Sequence, residues 1–309
     1  MQLIRDPSPR YFPAAGSAVT IGGFDGLHLG HQALIARTVD LARDSGLAAV
    51  LISFEPLPRE YLRRLAPPAR LTTLRERMHI LGNTGIDCFC ALRFTENLRA
   101  ISAEQFAALL REKFAVRHVV VGHDFRFGRD GAASAQSLRS DGARHGFSVD
   151  VLAPITQDGV RISSTAVRAA LAGGDLAAAR NLLGRAYTMC GRVIRGEQLG
   201  RTLGFPTANM RLGRRASPLD GIFAVRAHGA TVGVRDGVAS LGTRPTVGGT
   251  VPLLEVHLFD FAGDIYGDEL CVEFIARLRS EQHFPSLETM QAQMHVDAAE
   301  ARARLSAYD

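Results

Sequence analysis

Ala18-Val19-Thr20-Ile21-Gly22-Gly23-Phe24, running on into Asp25-Gly26-Leu27-His28-Leu29-Gly30-His31, decides the fold of the first half of this chain. The apolar run Ala18–Phe24 reads as a buried strand. The pattern from about Gly30 to Ser45, closed by Gly46, reads as a helix. Between them lies a glycine-rich turn at the carboxyl end of a strand, where open parallel sheets bind their ligands. Helix N-termini carry unpaired N–H groups and a positive dipole, so the turn suits phosphate. Gly23, Gly26 and Gly30 allow close backbone approach, and Phe24 and Asp25 complete the turn. His28 and His31, three residues apart, can both serve one ligand and stabilise charge that builds on phosphoryl oxygens.

Working outward, further strands are expected at Ala48–Phe54, Cys88–Phe94, His118–Gly122 and Phe147–Ala153, with helical stretches between them. Thr73-Leu74-Arg75-Glu76 and Ser102-Ala103-Glu104-Gln105 have capping-box spacing. This alternation implies a parallel sheet covered on both faces. A helical pair follows, Ser163 to Gly173 and then Asp175 to Gly184, and the domain boundary is placed there, giving 1–184 and 185–309. The second half reads as short strands separated by Gly and Pro: Tyr187–Ile194, Gly221–Ala227, Ala230–Val234, Gly237–Leu241, Leu253–Phe259 and Leu270–Ile275. That rhythm fits an antiparallel barrel or sandwich. Ser286 to Tyr308 reads as a helix, with Leu287, Met290, Met294 and Ala298 as the stripe packed on it.

Bulk properties narrow the classes. With 46% apolar and 22% charged residues, sizeable cores are expected rather than disorder. A formal charge of +5 suits nucleic acid or small polyanions. The absence of a dense Lys/Arg run favours the small anions, so no nucleic-acid partner is expected. No uncharged apolar run approaches the roughly 18 residues of a membrane span, and Met1 to Pro13 lacks the apolar core of a signal peptide. A cytoplasmic protein, monomeric or weakly oligomeric and without a membrane partner, is the expectation. The cysteines Cys88, Cys90, Cys190 and Cys271 match neither a zinc spacing nor a disulfide framework. Cys88 and Cys90 are expected to share one strand face in the core.

Rival readings of the first turn are a dinucleotide site, a zinc site and purely structural histidines. Gly22-Gly23-Phe24-Asp25-Gly26 does not supply the Gly-x-Gly-x-x-Gly fingerprint, although Glu55 ends the second strand where a ribose-binding acid would stand. Two histidines lack a third ligand nearby. A second cluster supports phosphate: Arg161-Ile162-Ser163-Ser164-Thr165-Ala166-Val167-Arg168 opens a helix. There Arg161 and Arg168 flank the hydroxyls of Ser163, Ser164 and Thr165, a cradle for a polyphosphate as well as a set of caps.

In the second half, Gly191-Arg192-Val193-Ile194-Arg195-Gly196 leads into Gly200-Arg201-Thr202-Leu203-Gly204-Phe205-Pro206-Thr207-Ala208-Asn209. Gly200 and Gly204 permit a wrap around phosphate, with Arg201 beside them. Thr207 and Asn209 offer neutral oxygen ligands of the sparse kind that Mg²⁺ accepts beside phosphate and water. A structural Gly/Pro loop is an equal reading of the composition. Downstream, Glu255 and His257 share one face of the strand Leu253–Phe259, and a carboxylate at a barrel mouth could take the proton of an alcohol.

These motifs carry a resemblance. Gly-x-Phe-Asp-Gly-x-His-x-Gly-His from Gly22, Phe54-Glu55-Pro56, Val121-Gly122-His123-Asp124-Phe125-Arg126-Phe127-Gly128 and Ile162-Ser163-Ser164-Thr165 with Arg168 resemble the adenylyltransferase half of the prokaryotic bifunctional riboflavin kinase/FAD synthetase family. The second half is similar to its riboflavin kinase module through Pro206-Thr207-Ala208-Asn209, Gly237-Val238-Ala239-Ser240-Leu241-Gly242-Thr243-Arg244-Pro245-Thr246 and Leu254-Glu255-Val256-His257. The resemblance implies a Rossmann-like nucleotidyltransferase sheet, then an antiparallel kinase β-barrel with a C-terminal helix. It implies phosphorylation of riboflavin to FMN, then adenylylation of FMN to FAD, with ATP as co-substrate of both steps and Mg²⁺ as cofactor. Pro206, Thr207 and Asn209 would bind ATP and the metal, and Glu255 would be the general base. Asp124, Phe125, Arg279 and Glu281 would lie at the flavin. The chain departs from the family at Leu57, where His or Gln is usual, and at Ser240, where Asn is common. A single working site, or a flavin- or nucleotide-sensing protein, are the alternatives.

Overall fold

The computed structural model describes residues 1–5, 7–63, 67–157, 159–196, 200, 203–246 and 249–308, with 10, 244–246 and 249–250 described by backbone alone. Two compact units result, Met1–Pro68 with Leu74–Ser163, and Ala69–Thr73 with Ser164–Asp309.

In the first unit the strands are β1 (Gln2–Ile4), β2 (Ser17–Ile21), β3 (Ala48–Glu55), β4 (Cys88–Arg93), β5 (Val116–Gly122), β6 (Arg126–Phe127), β7 (Ala133–Ser134), β8 (Ser148–Leu152), β9 (Thr156–Gln157) and β10 (Val160–Arg161). The helices are α1 (Leu29–Ser45), α2 (Pro58–Leu62), α3 (Leu74–Leu81), α4 (Glu96–Ala100), α5 (Ala103–Phe114) and α6 (Ala135–His145). Six strands form one sheet in the order β1-β4-β3-β2-β5-β8, and every neighbouring pair is parallel. The expected strands all form; β1 is an edge strand the pattern did not announce. Strand order reverses between β2 and β5, whose carboxyl ends mark the position where open α/β sheets bind ligands. Alternating side chains feed two cores. Val19, Ile21 and Val119 pack with Phe106 and Phe114 on one face. Ala18, Leu51 and Phe89 pack beneath α1 and α3 on the other. Cys88 and Cys90 do share the first face, and burial, with Asp87 adding to it, pushes the Cys88 thiol up to about 12.

The second unit holds α7 (Ser164–Ala172), α8 (Leu176–Leu183), the strands β11 (Tyr187–Ile194), β12 (Ala208–Arg211), β13 (Gly221–Gly229), β14 (Gly233–Thr246), β15 (Gly249–Leu258) and β16 (Glu269–Arg279), and α9 (Leu287–Ser306). The strands close a barrel in the order β11-β12-β15-β14-β13-β16. Asp175 caps α8 and Gly184 ends it with a left-handed residue. The sequence boundary falls there, whereas the compact units part at Ser163 and Ser164. The segment Ala69–Thr73 is tied into this unit, because the Tyr187 hydroxyl donates to the Leu71 carbonyl at 2.9 Å and Arg168 Nε to the Ala69 carbonyl at 2.6 Å.

Several expectations change in this unit. Residues 230–234 are not a separate strand: the chain turns there and Gly233 begins β14. Cys190 and Cys271 stand directly opposite on β11 and β16 and form a disulfide. Their separation in sequence concealed a pairing that barrel closure creates. On α9 the packed residues are Ala298, Ala301 and Leu305. Leu287 is 51% exposed, and Met290 and Met294 face a cavity instead.

Candidate active sites

The turn after β2 is built under strain. Phe24 and Leu27 hold left-handed backbone (φ 48° and 46°), as does Gly26 (φ 87°). Such conformations cost free energy in non-glycine residues and persist only when packing over-determines them. Here both side chains are buried anchors, Phe24 at 0% and Leu27 at 1% exposure. Asp25 is buried too, so it is not presented to solvent. The anchors set the head of α1, where His28 is the N-cap: its Nδ1 accepts from the His31 N–H at 3.3 Å. A nitrogen that accepts carries no proton, so the His28 proton sits on Nε2. The His31 ring stacks on His28 with centroids 3.7 Å apart, and Phe24 lies 5.0 Å from His31. Gly30 suits this packing, since a Cβ there would sit 3.2 Å from the His28 ring and press on it.

Burial first, then the neighbouring His28 and the Arg77 charge, hold His31 well below the ordinary histidine range. The ring is therefore a neutral hydrogen-bonding group near neutral pH. Arg77 escaped the sequence reading. It projects from α3, is fully buried, and donates to the Ser53 hydroxyl at 2.7 Å, the Gly23 carbonyl at 3.3 Å and Glu55 at 2.8 Å. Glu55 thus partners an arginine from within the sheet unit. Only a contact reveals this, because an arginine on a short polar helix reads as solvated. Leu57 is buried and lies over Gly23, which gives the departure from the family pattern an apolar packing role.

At the neighbouring strand end, Asp124 follows β5 and pairs with Arg161. Burial raises the Asp124 carboxyl, but the Arg161 hydrogen bond and charge outweigh it and hold the group below its usual range. Phe125 stacks on Phe127 at 5.6 Å. The phosphate-like motif from Arg161 is divided between the units: Arg161 and Ser163 belong to the sheet unit, Ser164, Thr165 and Arg168 to the barrel unit. Arg168 also donates Nη1 to the Ser164 carbonyl at 3.2 Å.

In the barrel, side-chain alternation decides which groups face inward and which outward. Leu254, Val256 and Leu258 point inward and are buried, opposite Met210 and Ala208 on β12 and Leu241 and Ala239 on β14. Glu255 and His257 therefore face outward, so the sequence expectation of a barrel-mouth carboxylate is corrected to the outer wall. Register pairs one continuous outward row: Asn209 with Glu255, Glu255 with Ser240, Ser240 with Ile222 and Ile222 with Arg279. A cavity of about 470 Å³ borders this row from Glu255 to Arg279; Thr207, Glu255, Arg279 and Glu281 line it beside Met290 and Met294 of α9. Arg279 is gripped by Asp297 of α9 through Nε at 2.9 Å and Nη2 at 2.7 Å, and lies 5.6 Å from the Phe284 ring. Asp297, only 6% exposed, is a second residue the sequence concealed. Glu281 accepts from the Ser240 hydroxyl at 3.3 Å.

Thr207 also borders a second cavity of about 660 Å³, bounded by inward-facing Val193, Ala208, Val256 and Leu258 and by Phe261 and Tyr266. Arg195 lies 5.3 Å over the Tyr266 ring. The glycine loop is shaped around the Thr207–Asn209 segment. A Cβ on Gly196 would collide with the Asn209 amide, and one on Gly200 with the Phe205 carbonyl. Gly204 turns the chain at φ 82°. Arg201 lies outside the described residues. Among the described residues no group of three His, Cys, Asp or Glu is placed to hold a metal. The hydroxyl and amide oxygens of Thr207 and Asn209, with Glu255 in the same row, are the hard oxygen set that Mg²⁺ takes when phosphate and water complete its shell.

Each unit thus carries its own candidate site: a strained glycine turn at the switch point of the sheet and, on the barrel, a carboxylate beside a cavity. Family models agree: one described as FAD synthetase matches residues 13–166, and one described as riboflavin kinase matches 183–305. The chain is 42% identical over 291 residues to the bifunctional riboflavin kinase/FMN adenylyltransferase of Escherichia coli (strain K12), spanning 94% of this chain and 93% of that one. It is 41% identical over 308 residues to the protein of the same description from Haemophilus influenzae, spanning 98% and 99%. A crystal structure described as a macrolide-efflux protein from Streptococcus pneumoniae superposes with a TM-score of 0.82 at 29% identity, covering 96% of this chain and 97% of that one. Among the described residues no helix of this chain is long and apolar enough to cross a membrane. The chain belongs to the bifunctional riboflavin kinase/FMN adenylyltransferase family.

Proposed function

We propose that the chain makes flavin cofactors in two consecutive ATP-dependent reactions, riboflavin to FMN on the barrel and FMN to FAD on the parallel sheet. The functional halves are 1–184 and 185–309. The observation that supports the barrel reading is the outward row Asn209–Glu255–Ser240–Ile222–Arg279, in which Glu255 is paired with Asn209 and also lines a cavity of about 470 Å³.

On the barrel, riboflavin occupies the cavity beside Arg279, Glu281 and the α9 methionines, with its ribityl 5′-hydroxyl at Glu255. ATP occupies the second cavity, its γ-phosphate at Thr207, the residue common to both. Gly200, Gly204 and Pro206 shape the loop for the phosphates, and Arg201 adds a cation to bind them. Glu255 takes the hydroxyl proton as the oxygen bonds to the γ-phosphorus and the bond to ADP breaks. Thr207 and Asn209 would hold Mg²⁺, which would neutralise phosphate charge when bound. Positioning and charge neutralisation carry most of the rate in such transfers.

On the sheet, the FMN phosphate is already an anionic nucleophile, so no base is required. One of its oxygens bonds to the α-phosphorus of a second ATP as the bond to pyrophosphate breaks. Gly23, Phe24, Asp25, Gly26 and Gly30 form the turn against the phosphates. His28 offers its Nε2 proton, since Nδ1 serves the cap, and neutral His31 backs it. Arg161 and Ser163 bind phosphate, and Ser164, Thr165 and Arg168 extend that role along the same motif. Asp124 and Phe125 contact the flavin. The reactants are riboflavin, FMN and ATP in the cytoplasm, with no nucleic-acid or membrane partner and a monomeric or weakly associated chain.

Incubation with riboflavin, ATP and Mg²⁺, with products resolved over time, tests the scheme. FMN should rise first and FAD follow with pyrophosphate. FAD without intervening FMN, or FMN that is never consumed, overturns it.

A further inference from the structure

We infer that His257 is a positioning residue of the kinase site, fixing the Pro206–Thr207 segment against the strand that carries Glu255. The inference rests on Thr207 being a ligand of the ATP phosphates. His257 Nδ1 lies 2.9 Å from the Pro206 carbonyl oxygen. A carbonyl can only accept, so Nδ1 carries the proton and donates. The bond falls where the ladder gives out. β12 begins at Ala208, whose partner on β15 is Val256, so Thr207 precedes the last paired position. Pro206 has no N–H to offer, which leaves its carbonyl as the backbone handle next to Thr207. His257 supplies by side chain the cross-strand tie that the sheet no longer supplies by backbone.

The ring is itself held. Phe205 meets it edge-on at 5.0 Å and Phe259 at 5.8 Å. Phe205 is buried and also meets His295 of α9 at 4.8 Å, while Gln291 of α9 donates to the Leu203 carbonyl at 3.0 Å. Residues 203–207 are thus braced from α9 on one side and from β15 on the other. Glu255 stands two residues before His257 on the same face, so one strand places both the base and the peptide that presents Thr207. Small displacements of a positioned group cost large factors in rate and binding, which is what this tie prevents.

The test uses the full-length protein and two variants. H257F keeps an aromatic ring between Phe205 and Phe259 but removes the donor; H257N keeps an N–H near the Nδ1 position. At saturating riboflavin, H257F should raise the KM for ATP in FMN formation about tenfold, the scale of one lost hydrogen bond. H257N should recover most of that loss, and FMN adenylylation should be unchanged in both. Should H257F melt at low temperature, H257Q replaces it, because its amide reaches the Nε2 position and leaves Pro206 unbonded. A normal ATP KM in the donorless variant, or an H257N no better than H257F, overturns the inference. T207A separates the two layers. An unchanged ATP KM in T207A removes the phosphate reading and this inference with it, whereas a raised KM in T207A beside a normal H257F removes only the role of His257.

Discussion

At the head of α1 two histidines lie face to face, His28 almost wholly screened from water and His31 held neutral by burial, His28 and Arg77. On the barrel, Glu255 stands partly exposed on an outer wall, with a cavity in front and ladder partners on both sides. Under the proposed division of tasks, the difference would follow from the nucleophiles. A phosphate monoester arrives charged and needs only donors directed at the charge that develops on the α-phosphoryl group. Neutral N–H groups serve without attracting the nucleophile as a counter-ion. An alcohol arrives protonated and needs an acceptor that can keep its proton, so a carboxylate open to the cavity suits the other task.

The comparison breaks most easily at Glu255. E255Q should lower FMN formation about 10³-fold, within the range of general-base loss, and leave FMN-to-FAD conversion intact in the same preparation. Loss of both activities from a folded protein would mean that the tasks are not divided this way. The reciprocal change is smaller. H28A with H31A should lower FAD formation about 10²-fold, the scale of removing directed donors, while riboflavin phosphorylation holds. Equal losses in both assays would sink the assignment of the histidines to one reaction.

How much of this the sequence disclosed differs between the halves for physical reasons. In the sheet, the central strands β2, β3 and β4 are mostly apolar runs, which made them visible. Only β1, a three-residue edge strand, carries too little pattern to register. In the barrel, β12 is four residues long and hidden behind a Gly/Pro segment, so the strand that bears Asn209 was legible as a motif and not as a strand. Alternation separated Glu255 from Leu254 and Val256, but a period of two does not say which face is interior when loops and α9 cover the outside. Arg77 and Asp297 were illegible for a shared reason. Charged residues on helices read as solvated, and both are buried by partners distant in sequence. The Cys190–Cys271 pair was hidden likewise, since closure of β11 on β16 brings the two together.

Asp297 sharpens the contrast one step further. Its grip on Arg279 fixes a cation at the wall of the cavity proposed for riboflavin, so D297N should raise the KM for riboflavin about tenfold by loosening one charge-assisted contact. The KM for FMN in the adenylyl transfer should not move. A riboflavin KM that stays normal in D297N would make the pair a clamp for α9 and nothing more, which a urea titration of the same variant would register as lost stability.

The smallest effect concerns protons on the sheet side. Unfolded histidines titrate near about 6.5, and folded His31 does so well below that. Above that range neither state binds the proton and the unit has its full stability. As the pH falls through it, the unfolded chain takes up a proton that the buried ring refuses, so stability declines by at most about 1.4 kcal/mol per pH unit until His31 itself protonates. Urea unfolding followed by circular dichroism between neutral and mildly acidic pH should show this slope in the wild type and a flatter one in H31N. Equal slopes would mean that the ring titrates as freely in the folded unit as outside it, and the neutral histidine pair would no longer distinguish the adenylyl site from the kinase site.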